Sequence, residues 1–139
     1  TAGADAGQIS SAASVISDFK KSFTGANDYG AYTMSAYDST TIEIAAIKKA
    51  LDAGGDPKKI NAFRESVRAN VAKTSNFQGV LGTVTFDANG DTSAKIISVY
   101  GVKKTDQAKV AVGDLTCGKA GAADATFWCT WVKQFTFGA

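Results

Sequence analysis

The apolar residues of this chain change period once, near Asn76, and that switch bounds the folds open to it. Before it they recur every three to four positions, the spacing of a helix face; after it they fall into β-branched clusters that read as strands. Three helices followed by strands predict an α+β unit, the helices covering one face of a small antiparallel sheet. A length of 139 residues holds one core rather than two. Residues 1–139 are therefore read as a single unit.

After a small, polar lead-in, Ile9, Ala12, Ala13, Ile16, Phe19 and Phe23 share a helical face and predict a helix from about Gln8 to Phe23. Asn27-Asp28-Tyr29-Gly30 carries turn chemistry. A long helix is expected from Tyr32 to Ala53, with Tyr37, Thr41, Ile44, Ile47 and Leu51 in one stripe. Ile42, Ala45 and Ala46 widen that stripe, so the helix needs partners on two flanks. Gly54-Gly55 supplies a stop, Asp56 the next N-cap and Pro57 a first helical position. The third helix then runs to Ala72 with Ile60, Phe63, Val67 and Val71 on one face.

Beyond Asn76, Val80 to Phe86 and Ala94 to Val102 read as the arms of a hairpin around Asp87-Ala88-Asn89-Gly90-Asp91. Val110 to Val112 reads as a short strand. Phe127 to Phe137 reads as a closing strand with Phe127, Cys129, Trp131, Phe135 and Phe137 on one face. Those aromatics, with Trp128, fit the packing of an edge strand better than a platform for sugar or peptide.

Fifteen Lys plus Arg against thirteen Asp plus Glu leave +2, too little for a general grip on nucleic acid. The absence of histidine removes the commonest general base and the commonest metal ligand. A hydroxyl nucleophile needs a base beside it, and no such arrangement is visible, so no enzyme activity, catalytic residue or cofactor is expected. Asp87, Asn89 and Asp91 fill three positions of a calcium loop, but the glycine comes at Gly90 rather than after Asp91 and no closing Glu follows. They are read as a turn, with no metal. Gly79 and Gly82 are spaced too loosely for a phosphate loop and read as places of close backbone approach. Asp38 and Glu43, five apart, do not share a helix face as a carboxylate pair, and Asp38 reads as a first-turn acid favoured by the helix dipole.

Cys117 and Cys129 lie twelve positions apart in a Gly- and Ala-rich segment. They are read as a disulfide, which would stabilise the fold by roughly 3 kcal/mol and place the chain outside the cytoplasm; two unpaired thiols are the alternative. No apolar run approaches the roughly 20 residues of a membrane span. No export signal precedes Thr1, so a mature, trimmed or cloned start is expected.

The central stretch resembles the C-terminal portion of type 1 periplasmic solute-binding proteins of the branched-chain amino acid (Leu/Ile/Val) transporter family. The likeness is carried by Ala36-Tyr37-Asp38-Ser39, Ala46-Ile47, Ala53-Gly54-Gly55-Asp56, Phe63-Arg64 and Val67-Arg68. It closes on Phe77 to Asp91, which fills every marked position of the family's F-x-G-x-x-G-x-x-x-F-D-x-x-G-D pattern. Residues 8–102 share the likeness; residues 103–139 form a tail outside it. The resemblance implies an α/β parent of two Rossmann-like lobes about a cleft, of which this chain is a C-terminal fragment. It implies a non-enzymatic component of an ABC importer, periplasmic or extracellular, free or lipid-anchored, that delivers a small-molecule ligand to a membrane permease. The family's cleft wall maps onto Tyr32, Met34 and Tyr37; its carboxylate- and ammonium-binding residues belong to earlier segments. The fragment is then expected to bind ligand weakly or not at all, and to cover its bare apolar faces as a homodimer or strand-exchanged assembly. The competing expectation is a self-contained secreted module that binds a protein or glycan through the cysteine loop and the aromatic strand.

Overall fold

The computed structural model of the chain describes residues 4–23, 32–93, 95–103 and 128–137. Within them lie three helices and two separate antiparallel strand pairs, a small α+β arrangement. The turn expected at 27–30, the short strand at 110–112, Cys117 and Phe127 fall outside the described residues.

The first helix begins later than its apolar period suggests. Two short 3-10 turns, Ala6–Gln8 and Ser10–Ala12, precede α1, Ala13–Ser22. Ile9 between them is extended. The Asp5 side chain accepts the Gly7 N–H at 3.0 Å, and Ser11 Oγ donates to the Val80 carbonyl at 2.8 Å. These side chain to backbone bonds offer the segment an alternative to helix. Ala6 and Ala12 are thereby buried against Met34, with Ile9, Val15, Ile16, Val80 and Leu81 packed around them.

α2 spans Thr33–Asp52 and α3 Ile60–Ala72, and the two pack on each other. The junction runs through Gly54 at φ +82, a left-handed stop as expected. Asp56 accepts the Lys58 N–H at 3.0 Å, but the chain turns at Pro57 and Lys58 before α3 starts at Ile60. The buried side of α2 is Met34, Asp38, Ile42, Ala46 and Ala50, a row in steps of four. The stripe expected to lead the packing is turned outward: Tyr37 is 45%, Ile44 61% and Leu51 45% exposed. The residues thought only to widen it, Ile42 and Ala46, do the packing. Small side chains at Ala46 and Ala50 let a neighbouring helix come close, which the bulkier stripe would not.

The expected hairpin between 80–86 and 94–102 is not formed. Instead β1, Phe77–Gly79, pairs with β2, Gly82–Val84, with Val80 and Leu81 as a two-residue turn. β3, Lys95–Lys103, pairs with β4, Trp128–Phe137. Between the two pairs, Asp87 to Asp91 is a turn closed by a single bridge, Phe86 to Thr92. β4 keeps its predicted bounds within a residue, but the register shifts between Val99 and Tyr100.

The N-terminal segment is tied to the β3–β4 ribbon. Asp5 N–H donates to the buried Ser98 Oγ at 2.8 Å, and the Tyr100 hydroxyl donates to Asp5 Oδ2 at 2.9 Å. Ser98 Oγ also donates to Gln134 Oε1 at 3.2 Å. On the other face of the ribbon Ile97, Val99, Phe135 and Phe137 are exposed. Lys133 Nζ sits 4.7 Å above the Phe135 ring. Among the described residues the largest fully buried side chains are Met34 and Ser98.

Candidate functional site

The best-defined polar arrangement is built on Asp38, in the second turn of α2. Its carboxylate is buried, and both oxygens are occupied: Val80 N–H donates to Oδ1 at 2.8 Å and Leu81 N–H to Oδ2 at 3.0 Å. Those donors are the two turn residues of the β1–β2 hairpin, whose N–H groups point away from their own ladder. An ionised acceptor roughly doubles the strength of such bonds. Asp38 is therefore no dipole-favoured surface acid; it is the post on which the hairpin turn is hung. Gly79 leaves room for it. A Cβ at residue 79 would lie 2.6 Å from Asp38 Oδ2, closer than real contacts allow. Gly82 differs from the close-approach expectation: nothing lies near its missing Cβ, and its φ of +123 is what requires glycine.

Two openings flank the post. One, of about 210 Å³, is lined by Ser35, Asp38, Ser39, Ile42, Leu81 and Val84 among others. It adjoins a cleft of about 580 Å³ between α2 and α3, lined by Ile42, Ile47, Phe63, Val67, Val71 and Phe86, with Ser39, Glu43, Arg64 and Arg68. The expected apolar face of α3 is thus real but lines an open cleft; no residue of α3 is buried. Arg68 is engaged by Glu65 at 2.9 Å, and that hydrogen bond and charge hold its guanidinium above the ordinary value.

The three wall residues are not brought to one surface. Tyr32 sits at the N-terminal boundary of α2, without a side-chain capping bond, and is 74% exposed, and Tyr37 is on the outward stripe. Met34 is 1% exposed in the core beside Ala6 and Ala12. It cannot meet a ligand without unpacking that core, which corrects its place in the wall. Cys129 lies in β4, while Cys117 is outside the described residues.

The Asp87 turn has the form its sequence suggests. Asp87 Oδ1 accepts the N–H of Asn89 at 2.8 Å and of Asp91 at 2.9 Å, and Gly90 takes a φ of +86. These bonds, that of Asp91 foremost, hold the Asp87 carboxyl below its ordinary value. Asp38, too, accepts from backbone N–H groups, one on each oxygen. Gly79 fits its close-approach reading, while Ser11 and the hairpin-holding role of Asp38 are determinants that local reading missed. A glycine on each side of two residues, G-x-x-G, was the available signal for a two-residue hairpin loop.

No helix among the described residues is long and apolar enough to cross a membrane. Comparison with protein-family models, with curated proteins and with solved structures finds no match to the chain.

Proposed function

We propose that this chain is the C-terminal portion of an extracytoplasmic solute-binding component of an ABC importer. The intact protein closes two lobes on a branched-chain amino acid, or a related small polar molecule, and presents it to a membrane permease. It binds and does not catalyse. The observation that carries the reading is the Asp38 post. The Ala36-Tyr37-Asp38-Ser39 opening and the Phe77 to Asp91 pattern, quoted separately for the resemblance, meet in one pair of hydrogen bonds. Losing either half would leave the other without its partner, a physical reason for the two to occur together.

The outward row of α2 and the open α2–α3 cleft support the same reading, because a helix layer cut from a two-lobe parent would lack the sheet that covers it. Under this proposal Tyr32 and Tyr37 contribute the aromatic wall of the cleft between lobes, and groups that hold the ligand's carboxylate and ammonium come from segments upstream. A Cys117–Cys129 disulfide belongs with the extracytoplasmic location. The test is the reading frame in which the chain sits. It should carry an export or lipoprotein signal and about 200 further residues of alternating strand and helix upstream, in keeping with two-domain size. A frame that opens on a signal directly before Thr1 would overturn the proposal in favour of a self-contained secreted module.

A further inference from the structure

Asn89 is the one asparagine of this chain that precedes a glycine; Asn27, Asn61, Asn70 and Asn76 precede Asp28, Ala62, Val71 and Phe77. That pairing carries a chemistry of its own. The backbone nitrogen of the following residue can close a five-membered ring on the asparagine side-chain carbon, and glycine, having no side chain, leaves the approach open. Asn89 and Gly90 are both exposed to water. Asn61 and Asn70, by contrast, are fixed in the backbone of α3.

The folded turn sets the Gly90 nitrogen aside. Its N–H donates to the Asp87 carbonyl at 3.0 Å, with Gly90 at a φ of +86. Asp87 Oδ1 accepts the N–H of Asn89 at 2.8 Å and of Asp91 at 2.9 Å, and Asp87 N–H donates to the Asp91 carbonyl at 3.0 Å. Every one of these bonds has Asp87 at one end. Ring closure requires the Gly90 nitrogen to leave the Asp87 carbonyl, give up its proton and face the side chain of its own neighbour, so the turn must first open.

We infer that Asn89 is a deamidation site and that Asp87 is its latch. In the opened turn the Gly90 nitrogen bonds to Asn89 Cγ, the bond from Cγ to Nδ2 breaks, and Nδ2 leaves as ammonia with the proton that Gly90 gives up. Water then opens the ring at one of its two carbonyls. Opening at the side-chain carbonyl gives aspartate in an unaltered backbone; opening at the main-chain carbonyl gives isoaspartate, in which the backbone runs through the former side chain and is longer by a methylene. Either product sets a third carboxylate between Asp87 and Asp91, and their mutual repulsion works against closing the turn again. The inference uses this turn alone and does not depend on the solute proposed above.

The test follows residue 89 in the full 139-residue chain at mildly alkaline pH, in buffer and in urea, by peptide mapping with mass spectrometry. In urea, with the turn gone, Asn89 should convert ahead of every other asparagine, and Gly90→Ala should slow it. In buffer the wild type should convert more slowly than in urea by about tenfold. Asp87→Ala should bring the rate in buffer close to the rate in urea, with the far-ultraviolet circular dichroism spectrum of the wild type. Asp87→Asn, which keeps an acceptor of the same shape, should fall between the two, and both variants should match the wild type in urea, where the latch has no part. Should Asp87→Ala lose its fold, the Asp87→Asn rate decides by the same criterion. Asn89 left unconverted in urea, a wild-type rate in buffer equal to that in urea, or a folded Asp87→Ala as slow as the wild type would each overturn the inference.

Discussion

Replacing Asp38 by alanine removes the acceptor of two turn N–H groups at once. Each donor left without a partner in a part-buried site costs about 1–3 kcal/mol, so Asp38→Ala should destabilise by about 2–6 kcal/mol. That is a large share of the roughly 5–15 kcal/mol that holds a domain together. Gly79→Ala attacks the same contact from the other side, since its methyl would stand 2.6 Å from Oδ2 and 2.8 Å from Cγ of Asp38. The carboxylate must move, and its bonds to the turn go with it. With alanine already at residue 38 there is no carboxylate to displace, so Gly79→Ala should then cost much less. The two changes should therefore fall short of additivity by about 1–3 kcal/mol. Urea unfolding followed by far-ultraviolet circular dichroism supplies the four free energies, provided the slopes agree. Additivity within about 0.5 kcal/mol would refute the post-and-turn account.

Three further outcomes follow from the described contacts. Asp5→Ala should loosen the N-terminal segment from the ribbon by about 1–2 kcal/mol through loss of the bonds from Tyr100 and Gly7; Tyr100→Phe should cost about 1 kcal/mol, and little more when added to Asp5→Ala. For the Asp87 turn, the carboxyl is held below its ordinary value of 3.8, so its stabilising effect is complete above the unfolded value and fades as pH falls through the lower folded one. Amide exchange at Asn89 and Asp91 should show that loss on acidification, and Asp87→Asn should abolish the pH dependence. Intact mass with and without reduction should differ by two hydrogen masses if Cys117 and Cys129 are joined; equal masses would remove the disulfide and its bearing on location.

Much of the fold was legible locally because local forces decide it. α2 lies within a residue of its expected bounds, and Gly54 stops it where left-handed backbone is needed. Which flank of α2 is buried was not legible: two apolar stripes on one helix look alike to periodicity, and only the approach of α3 and the hairpin turn selects Ile42 and Ala46. Strand pairing was misread for a similar reason. Val80 and Leu81 have strand-like side chains, yet a carboxylate 42 positions earlier takes the Val80 N–H and bends the pair into a turn. β3 then finds its partner in β4, a choice that neighbouring residues do not encode. At the candidate site the glycines were visible, but the acid that explains Gly79 was not. An Asp on a helix reads the same whether it faces water or a distant backbone.

The proposal that the chain is one share of a two-lobe receptor is tested most directly by calorimetric titration with leucine, isoleucine and valine. Two samples are compared: the 139-residue chain, and the same chain extended upstream through its own reading frame. The extended protein should give a saturable binding isotherm with at least one of the three, and the 139-residue chain should give none. Tight binding by the 139 residues alone would contradict it, and silence from the extended protein toward all three would remove branched-chain amino acids as the ligand.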